Sequence, residues 1–409
     1  MDGDDETLLS TLLCSRSLVS LYLQQPGFKS DWPLVLKSDV HLQGAPLLRV
    51  LVIKWDEQYV NIPVTRILSS FRWLRHIELE CKQLDPSDFE QLGNSQSIEY
   101  IRCKITGFTN YPTEIKLPST KTLKVVGHFE DILGFVASVE APLLTEFLVA
   151  IRIPSLAPIL QCVQRIRSSS LSANLYTLHL EIRYDGVTII GHPVSLSSLL
   201  EPYYTLKTLQ NLSIQGSNPT TVIMTDDDLD IVARKFRRLR SLSISDVVFL
   251  SHPLPPEWSE HVHNMLTLMV HGKPGVGCGP ITILRHFALH CPHLIKLSLN
   301  CVSVSTEGQD PDLRLHSANW RDSVGAALGH PLRDLNLTRP PWYNYRWDPS
   351  IGPMDVGEYL DTLFPELDTV TLREHWPTTW AAGMWGKAVD EIVVRQRGRR
   401  ASREKTTIT

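Results

Sequence analysis

Leu294-Ile295-Lys296-Leu297-Ser298-Leu299 decides the reading of this chain, because its spacing returns in Leu332-Arg333-Asp334-Leu335-Asn336-Leu337 and in Leu239-Arg240-Ser241-Leu242-Ser243-Ile244. Thirteen segments of this kind or a close variant run from one end of the 409 residues to the other. Their first apolar residues are Leu18, Leu48, Leu74, Ile98, Leu123, Leu144, Leu175, Leu209, Leu239, Met265, Leu294, Leu332 and Leu367. From 18 to 367 is 349 residues over 12 intervals, or about 29 per unit. In a strand, successive side chains point to opposite faces. The apolar positions of each segment therefore point inward, and the third, fifth and seventh share the other face.

A repeat of this length holds one strand and one helix, and it buries its apolar side only against its neighbours. The expected fold is α/β: a leucine-rich repeat solenoid (horseshoe), with a parallel concave sheet, convex helices and about 13 repeats. The expected organisation is an acidic leader with a short capping helix at 1–17, the solenoid at 18–375, a C-terminal cap at 376–394 and a basic, disordered tail at 395–409. Leu8-Leu9 and Leu12-Leu13 mark the capping helix, and Trp376, Trp380 and Trp385 suit the cap, since a terminal repeat must cover an apolar end.

One unit shows how the residues write the structure. Thr225 precedes Asp226-Asp227-Asp228, a capping hydroxyl followed by acids where a helix dipole is positive. Leu229, Val232, Ala233 and Phe236 then form an apolar stripe at helical spacing, and Arg234, Lys235, Arg237 and Arg238 crowd the end where positive charge is favoured. Leu239, Leu242 and Ile244 follow as the strand.

Cys291-Pro292-His293-Leu294-Ile295-Lys296-Leu297-Ser298-Leu299-Asn300-Cys301 narrows the subtype. With the helix start at Thr225, it resembles the cysteine-containing leucine-rich repeats of F-box proteins. The irregular repeats and the late Leu363-Phe-Pro-Glu-Leu-Asp-Thr-Val370 unit resemble the F-box/leucine-rich-repeat group of mushroom-forming fungi. The resemblance covers nearly the whole chain and implies a substrate receptor of an SCF-type (cullin-RING) ubiquitin ligase, with repeats holding the target while an F-box recruits the ligase adaptor. Only 17 residues precede the first marker, too few for that helical module. Leu254-Pro-Pro-Glu257 resembles its start, but Trp258-Ser-Glu-His-Val262 does not continue it. Adaptor binding is therefore assigned to no residue here, and would require an F-box upstream. The alternatives are a stand-alone interaction scaffold without ligase connection, and a regulator of a GTPase to which Arg102 or Arg373 donates a guanidinium.

A partner is expected on the concave face. In the early repeats that face presents His76, Glu78 and Glu80, then Tyr100, Arg102 and Lys104. The later repeats present Asn211, Ser213 and Gln215; Ser241, Ser243 and Ser245; Lys296, Ser298 and Asn300; Asp334, Asn336 and Thr338; and Thr369, Thr371 and Arg373. The later half is thus mainly small, uncharged hydrogen-bonding groups, the expected seat of a protein substrate. A second candidate is the rim loop after the Leu332 segment, carrying Trp342, Tyr343, Tyr345, Arg346 and Trp347, residue types that dominate binding hot spots.

Composition narrows the rest. Hydrophobic content of 43% and charge of 21% fit a globular protein. A net charge of -4 gives no electrostatic reason for nucleic-acid binding. The start Met1-Asp-Gly-Asp-Asp-Glu6 lacks the features of a secretory signal, and no apolar run reaches the roughly 20 residues that span a bilayer. Seven scattered cysteines suit reduced thiols, so the expected address is cytoplasm or nucleus, with no membrane partner. His286, His290, Cys291 and His293 lack a second ligand pair at zinc spacing, and Cys291 fills a buried repeat position, so no metal is expected. The run His271-Gly-Lys-Pro-Gly-Val-Gly-Cys-Gly-Pro280 is no phosphate loop and reads as a flexible connection. No nucleophile elbow appears, and the expectation is a protein that is not an enzyme and carries no cofactor. Arg395 to Lys405 carries Ser402 after Arg399-Arg400, a candidate phosphorylation site in a segment that also suits nuclear import.

Overall fold

Twelve of the thirteen segments each form one strand, and these strands lie in a single parallel sheet whose spatial order is the chain order. The computed structural model describes residues 17–24, 45–54, 63–154, 158–184, 194–216, 222–250, 276–277, 279–299, 302–303, 330–338, 351–373 and 379–408. The strands are β1 Ser20–Gln24, β2 Val50–Lys54, β3 His76–Leu84, β4 Tyr100–Ile105, β5 Thr122–His128, β6 Glu146–Ile153, β7 Thr177–Tyr184, β8 Asn211–Gly216, β9 Ser241–Ser245, β10 Lys296–Leu299, β11 Asp334–Thr338 and β12 Thr369–Arg373. The described helices are α1 Val64–Ser70, α2 Pro86–Gly93, α3 Phe129–Ser138, α4 Pro158–Ser168, α5 Leu196–Leu200, α6 Asp226–Lys235, α7 Leu284–His290, α8 Pro353–Leu363 and α9 Thr379–Ile408. Parallel neighbours need a crossover, and right-handed crossovers between strands in monotone order return on the same face each time. That rule places the described helices on one face of the sheet and leaves the outward strand residues on the other.

The chain divides into two compact units, residues 1–153 with 161–180, and residues 154–160 with 181–409. In the first, Ile77, Leu79, Ile101, Cys103, Leu123, Val125, Phe147 and Val149 are the inward strand residues, and all are buried. Each such side chain contributes about 1.5–3 kcal/mol on leaving water. Phe89 of α2, Phe108 and Phe135 of α3 meet edge to face, with centroids 5.0–5.5 Å apart. Buried carboxylates tie this core to the backbone. Asp85 caps α2 in a box with Asp88, and Asp131 of α3 accepts a hydrogen bond from Phe108 N at 3.0 Å.

In the second unit the Thr225 box forms as its residues dictate. Thr225 Oγ1 accepts from Asp228 N at 3.1 Å, and Thr225 N donates to Asp228 Oδ2 at 2.9 Å. Leu229, Val232, Ala233 and Phe236 are buried, and Cys291 donates its thiol to Ala233 O at 3.3 Å. His330 stands before the β11 segment with its ring buried. Its Nε2 faces Cys291 O at 2.9 Å and its Nδ1 accepts from Leu332 N at 3.1 Å, a pattern that only the neutral ring satisfies. Burial lowers its pKa below the ordinary histidine value, outweighing the backbone hydrogen bonds to Cys291 and Phe287 that favour the charged ring.

Several expectations are corrected. The Leu123 marker lies three residues late, because the register pairs Tyr100 with Thr122 and Ile101 with Leu123. The first apolar position of that repeat is taken by Thr120, whose buried hydroxyl donates to Ile98 O at 3.3 Å. The Leu144 marker stands where expected, two residues before the Glu146 that pairs with Thr122. β9 pairs directly with β10, so the Met265 segment supplies no strand between them; Met265 itself lies outside the described residues. Part of the glycine run is extended rather than an irregular connection: Val276–Gly277 pairs antiparallel with Phe249–Leu250, and Gly279–Pro280 pairs parallel with Val302–Ser303. Residues 395–408 are helical, where a disordered tail was expected, since α9 runs without a break from Thr379 to Ile408. Arg399 forms a bidentate ion pair with Asp361 of α8, a partner the sequence does not place beside it. The leader, residues 1–16, and Trp376 lie outside the described residues, while Trp385 is buried in α9.

Candidate functional site

The outward strand positions of the second unit are aligned by strand register. Asn211 pairs with Ser241, Ser241 with Lys296, Lys296 with Asp334 and Asp334 with Thr369. Two residues on, the same strands align Ser213, Ser243, Ser298, Asn336 and Thr371 in one row. At about 4.8 Å between strands, that row runs roughly 19 Å across the sheet. Leu212, Leu242, Leu297 and Leu335 are buried between these rows, while Ser213, Ser243, Ser298 and Asn336 remain part-exposed.

The outer rows are engaged with themselves. Lys296 Nζ lies 3.2 Å from Asp334 Oδ2, and Thr369 donates to Asp334 Oδ1 at 2.6 Å. The Thr369 hydroxyl and Lys296 hold the Asp334 carboxyl below its usual range. At the other end Gln215 and Ser245 hydrogen-bond Asp246, whose backbone sits at φ 57°. Burial raises the Asp246 pKa more than those hydrogen bonds lower it. A non-glycine residue in this conformation is uncommon. Sequence reading passed Asp246 over, although a carboxylate closing a row of polar strand positions was visible there. The middle row differs. It carries no charge, and Asn336 Oδ1 is buried without a hydrogen-bond partner among the described residues.

Of the expected binding residues, Asn300 and the rim-loop residues Trp342, Tyr343, Tyr345, Arg346 and Trp347 lie outside the described residues. Thr338, Thr371 and Arg373 are placed in β11 and β12 by their backbone.

The corresponding face of the first unit holds a charged and aromatic cluster. His76 stacks on Tyr100 with centroids 3.8 Å apart and planes 5° from parallel. Glu78, 8% exposed, receives His76 Nε2 at 3.2 Å and Lys54 Nζ at 3.4 Å. Arg102 reaches Glu80 at 2.8 Å, and Lys124 Nζ lies 5.2 Å from the Tyr100 ring centroid. Burial would raise the Glu78 pKa, yet the hydrogen bond from His76 and the charges of Lys54 and Arg102 bring it below the ordinary value. Burial and Glu78 together push the Tyr100 phenol upward. The charges of the cluster pair with one another, although Glu80 Oε1, ion-paired with Arg102, is buried without a hydrogen-bond partner among the described residues. Arg102, a candidate arginine donor from the sequence, is already ion-paired here.

On the helical side, the histidines that prompted the metal question face carboxylates. His286 places Nδ1 3.1 Å from Asp230 Oδ1 and Nε2 3.0 Å from Asp226 Oδ1, while His290 lies 3.5 Å from Asp230. Among the described residues no group of three or more His, Cys, Asp or Glu is arranged to hold a metal ion, and no described helix is long and apolar enough to cross a membrane. No protein-family model matches the chain, and no curated protein matches it.

Proposed function

We propose that the chain is a leucine-rich repeat solenoid that binds a protein on the helix-free face of its later strands, as the substrate-recognition part of a ubiquitin-ligase receptor. The observation that carries the binding role is the aligned row Ser213, Ser243, Ser298, Asn336 and Thr371, with its buried acceptor at Asn336. Short hydroxyl and amide side chains in register match the alternating donors and acceptors of a partner's extended segment or loop. They lose little rotamer entropy on contact. An acceptor buried without a partner costs free energy until a donor reaches it. A partner that supplies the donor gains specificity against one that does not.

The ligase role comes from the resemblance of the Cys291–Cys301 repeat to those of F-box proteins. The stand-alone scaffold uses the same face, and the two readings separate experimentally. Tagged chain is expressed in its cell of origin and captured with its bound proteins. The ligase reading expects a bound protein whose ubiquitylation falls when the chain is depleted. A protein that is held but not ubiquitylated in a chain-dependent way would leave the scaffold standing. The arginine-donor idea finds no support in Arg102, which already pairs with Glu80.

A further inference from the structure

The last helix is held to its neighbour by two different kinds of contact. Its first half is apolar: Trp385, Ala388 and Ile392 are buried. There α8 and α9 approach so closely that a Cβ on Gly357 would stand 2.7 Å from Ala388 O. From residue 395 to 402 the sequence is Arg-Gln-Arg-Gly-Arg-Arg-Ala-Ser, with no large apolar side chain to bury. That stretch is docked by polar contacts. Arg395 bridges Glu391 at 2.7 Å and Glu358 at 2.9 Å. Arg399 grips the buried Asp361 through both guanidinium nitrogens and donates to Pro365 O at 3.1 Å.

Ser402 follows one turn later. It is exposed, donates to Gly398 O at 2.9 Å, and lines one surface concavity with Asp361, Arg395, Gly398 and Arg399. Arg399-Arg400-Ala401-Ser402 places guanidiniums three and two residues before the hydroxyl, where the acidic cleft of an arginine-directed protein kinase takes them. Arg399 cannot occupy that cleft and pair with Asp361 together, so only the undocked segment is a substrate.

We propose that Ser402 is a phosphorylation site for an arginine-directed kinase using a nucleoside triphosphate, and that its phosphate releases residues 395–402 from α8. In the transfer, Ser402 Oγ bonds to the γ-phosphorus, the bond to the nucleoside diphosphate leaving group breaks, and the hydroxyl proton passes to the kinase's base. The product carries about −1.5 to −2 charge. It shares a surface concavity with Asp361, whose carboxylate repels it, and offers Arg399 a competing anion. Both effects oppose re-docking. Modification of the minor, undocked state therefore shifts the population toward it.

The test uses the full chain with the catalytic subunit of an arginine-directed kinase and ATP, read by peptide mass spectrometry and amide hydrogen exchange. Ser402 becomes phosphorylated in the parent chain, and Ser402→Ala loses that phosphate. Asp361→Asn and, independently, Glu358→Gln accelerate the reaction by freeing the arginines. Exchange in 395–402 rises several-fold on phosphorylation, while 385–392 stays protected. Phosphate confined to other serines would overturn the proposal, as would complete Ser402 phosphorylation with exchange in 395–402 unchanged or slower.

Discussion

On β3 to β5 of the first unit, the outward row Glu78, Arg102, Lys124 is charged, and its members and neighbours hold one another through His76, Tyr100, Lys54 and Glu80. On β8 to β12 of the second unit, the matching row Ser213, Ser243, Ser298, Asn336, Thr371 is neutral, and Asn336 Oδ1 is buried there with neither a hydrogen bond nor an ion pair among the described residues. The inward positions of both units are buried apolar side chains, leucine, isoleucine and valine with Cys103 and Phe147 in the first. The fold therefore constrains one face of each strand and leaves the other free. The proposed reading follows from that difference: a face whose charges pair among themselves offers a partner less than a neutral row does.

The comparison breaks first if the shared core is not what both faces rest on. Leu297→Asp places an unpaired charge beneath the serine row and is expected to cost on the order of 4 kcal/mol. Thermal unfolding should show the second unit melting early. An unchanged melting curve would mean the inward register is wrong.

Next in size is Glu78→Ala, which strands the His76, Lys54 and Tyr100 groups now gathered on one carboxylate. We expect a loss of about 1–3 kcal/mol by denaturant unfolding. The same carboxylate sets an acid limit. Its folded pKa is depressed, so its contribution is complete above the unfolded value near 4.5 and is lost as pH falls through the lower folded value. Glu78→Gln should flatten that limb, and a limb of equal slope would show the cluster to be energetically idle.

How much of this was legible in the chain follows the same division. Alternation sets Arg102, Ser298 and Asn336, all part-exposed, beside the buried Ile101, Leu297 and Leu335, because parity depends only on counting from an inward leucine. It did not reveal which outer groups pair, since that depends on neighbours a whole repeat away. The tail failed for that reason: Arg399 reads as a solvated charge until Asp361, 38 residues earlier, is brought beside it. The Leu123 register slipped because Thr120 stands where a leucine was sought, its hydroxyl made tolerable by Ile98 O. The Met265 segment met the pattern and still supplies no strand between β9 and β10, since pattern alone does not state which neighbours are adjacent.

A smaller effect sharpens the second unit. His330 is held neutral by the pair of hydrogen bonds at its two nitrogens, and burial depresses its folded pKa. The unfolded chain takes up the proton more readily, so stability from this residue is complete above about pH 6.5 and falls as pH drops through the lower folded value. His290, also depressed by burial, acts in the same direction. His330→Gln should reduce the slope of stability between roughly pH 5 and 6.5. A slope as steep as in the parent chain would assign the dependence elsewhere.

The most direct measurement is binding of a captured partner to two folded variants, one altered on each face. Asn336→Arg fills the neutral row with a long cation at a part-exposed position, and its melting curve is compared with the parent's to show that it is folded. Lys124→Ala removes a cation from the charged face of the first unit. Binding by isothermal titration should be lost in Asn336→Arg and kept in Lys124→Ala. Partner affinity retained by Asn336→Arg and lost by Lys124→Ala would place the binding face on the first unit and contradict the account.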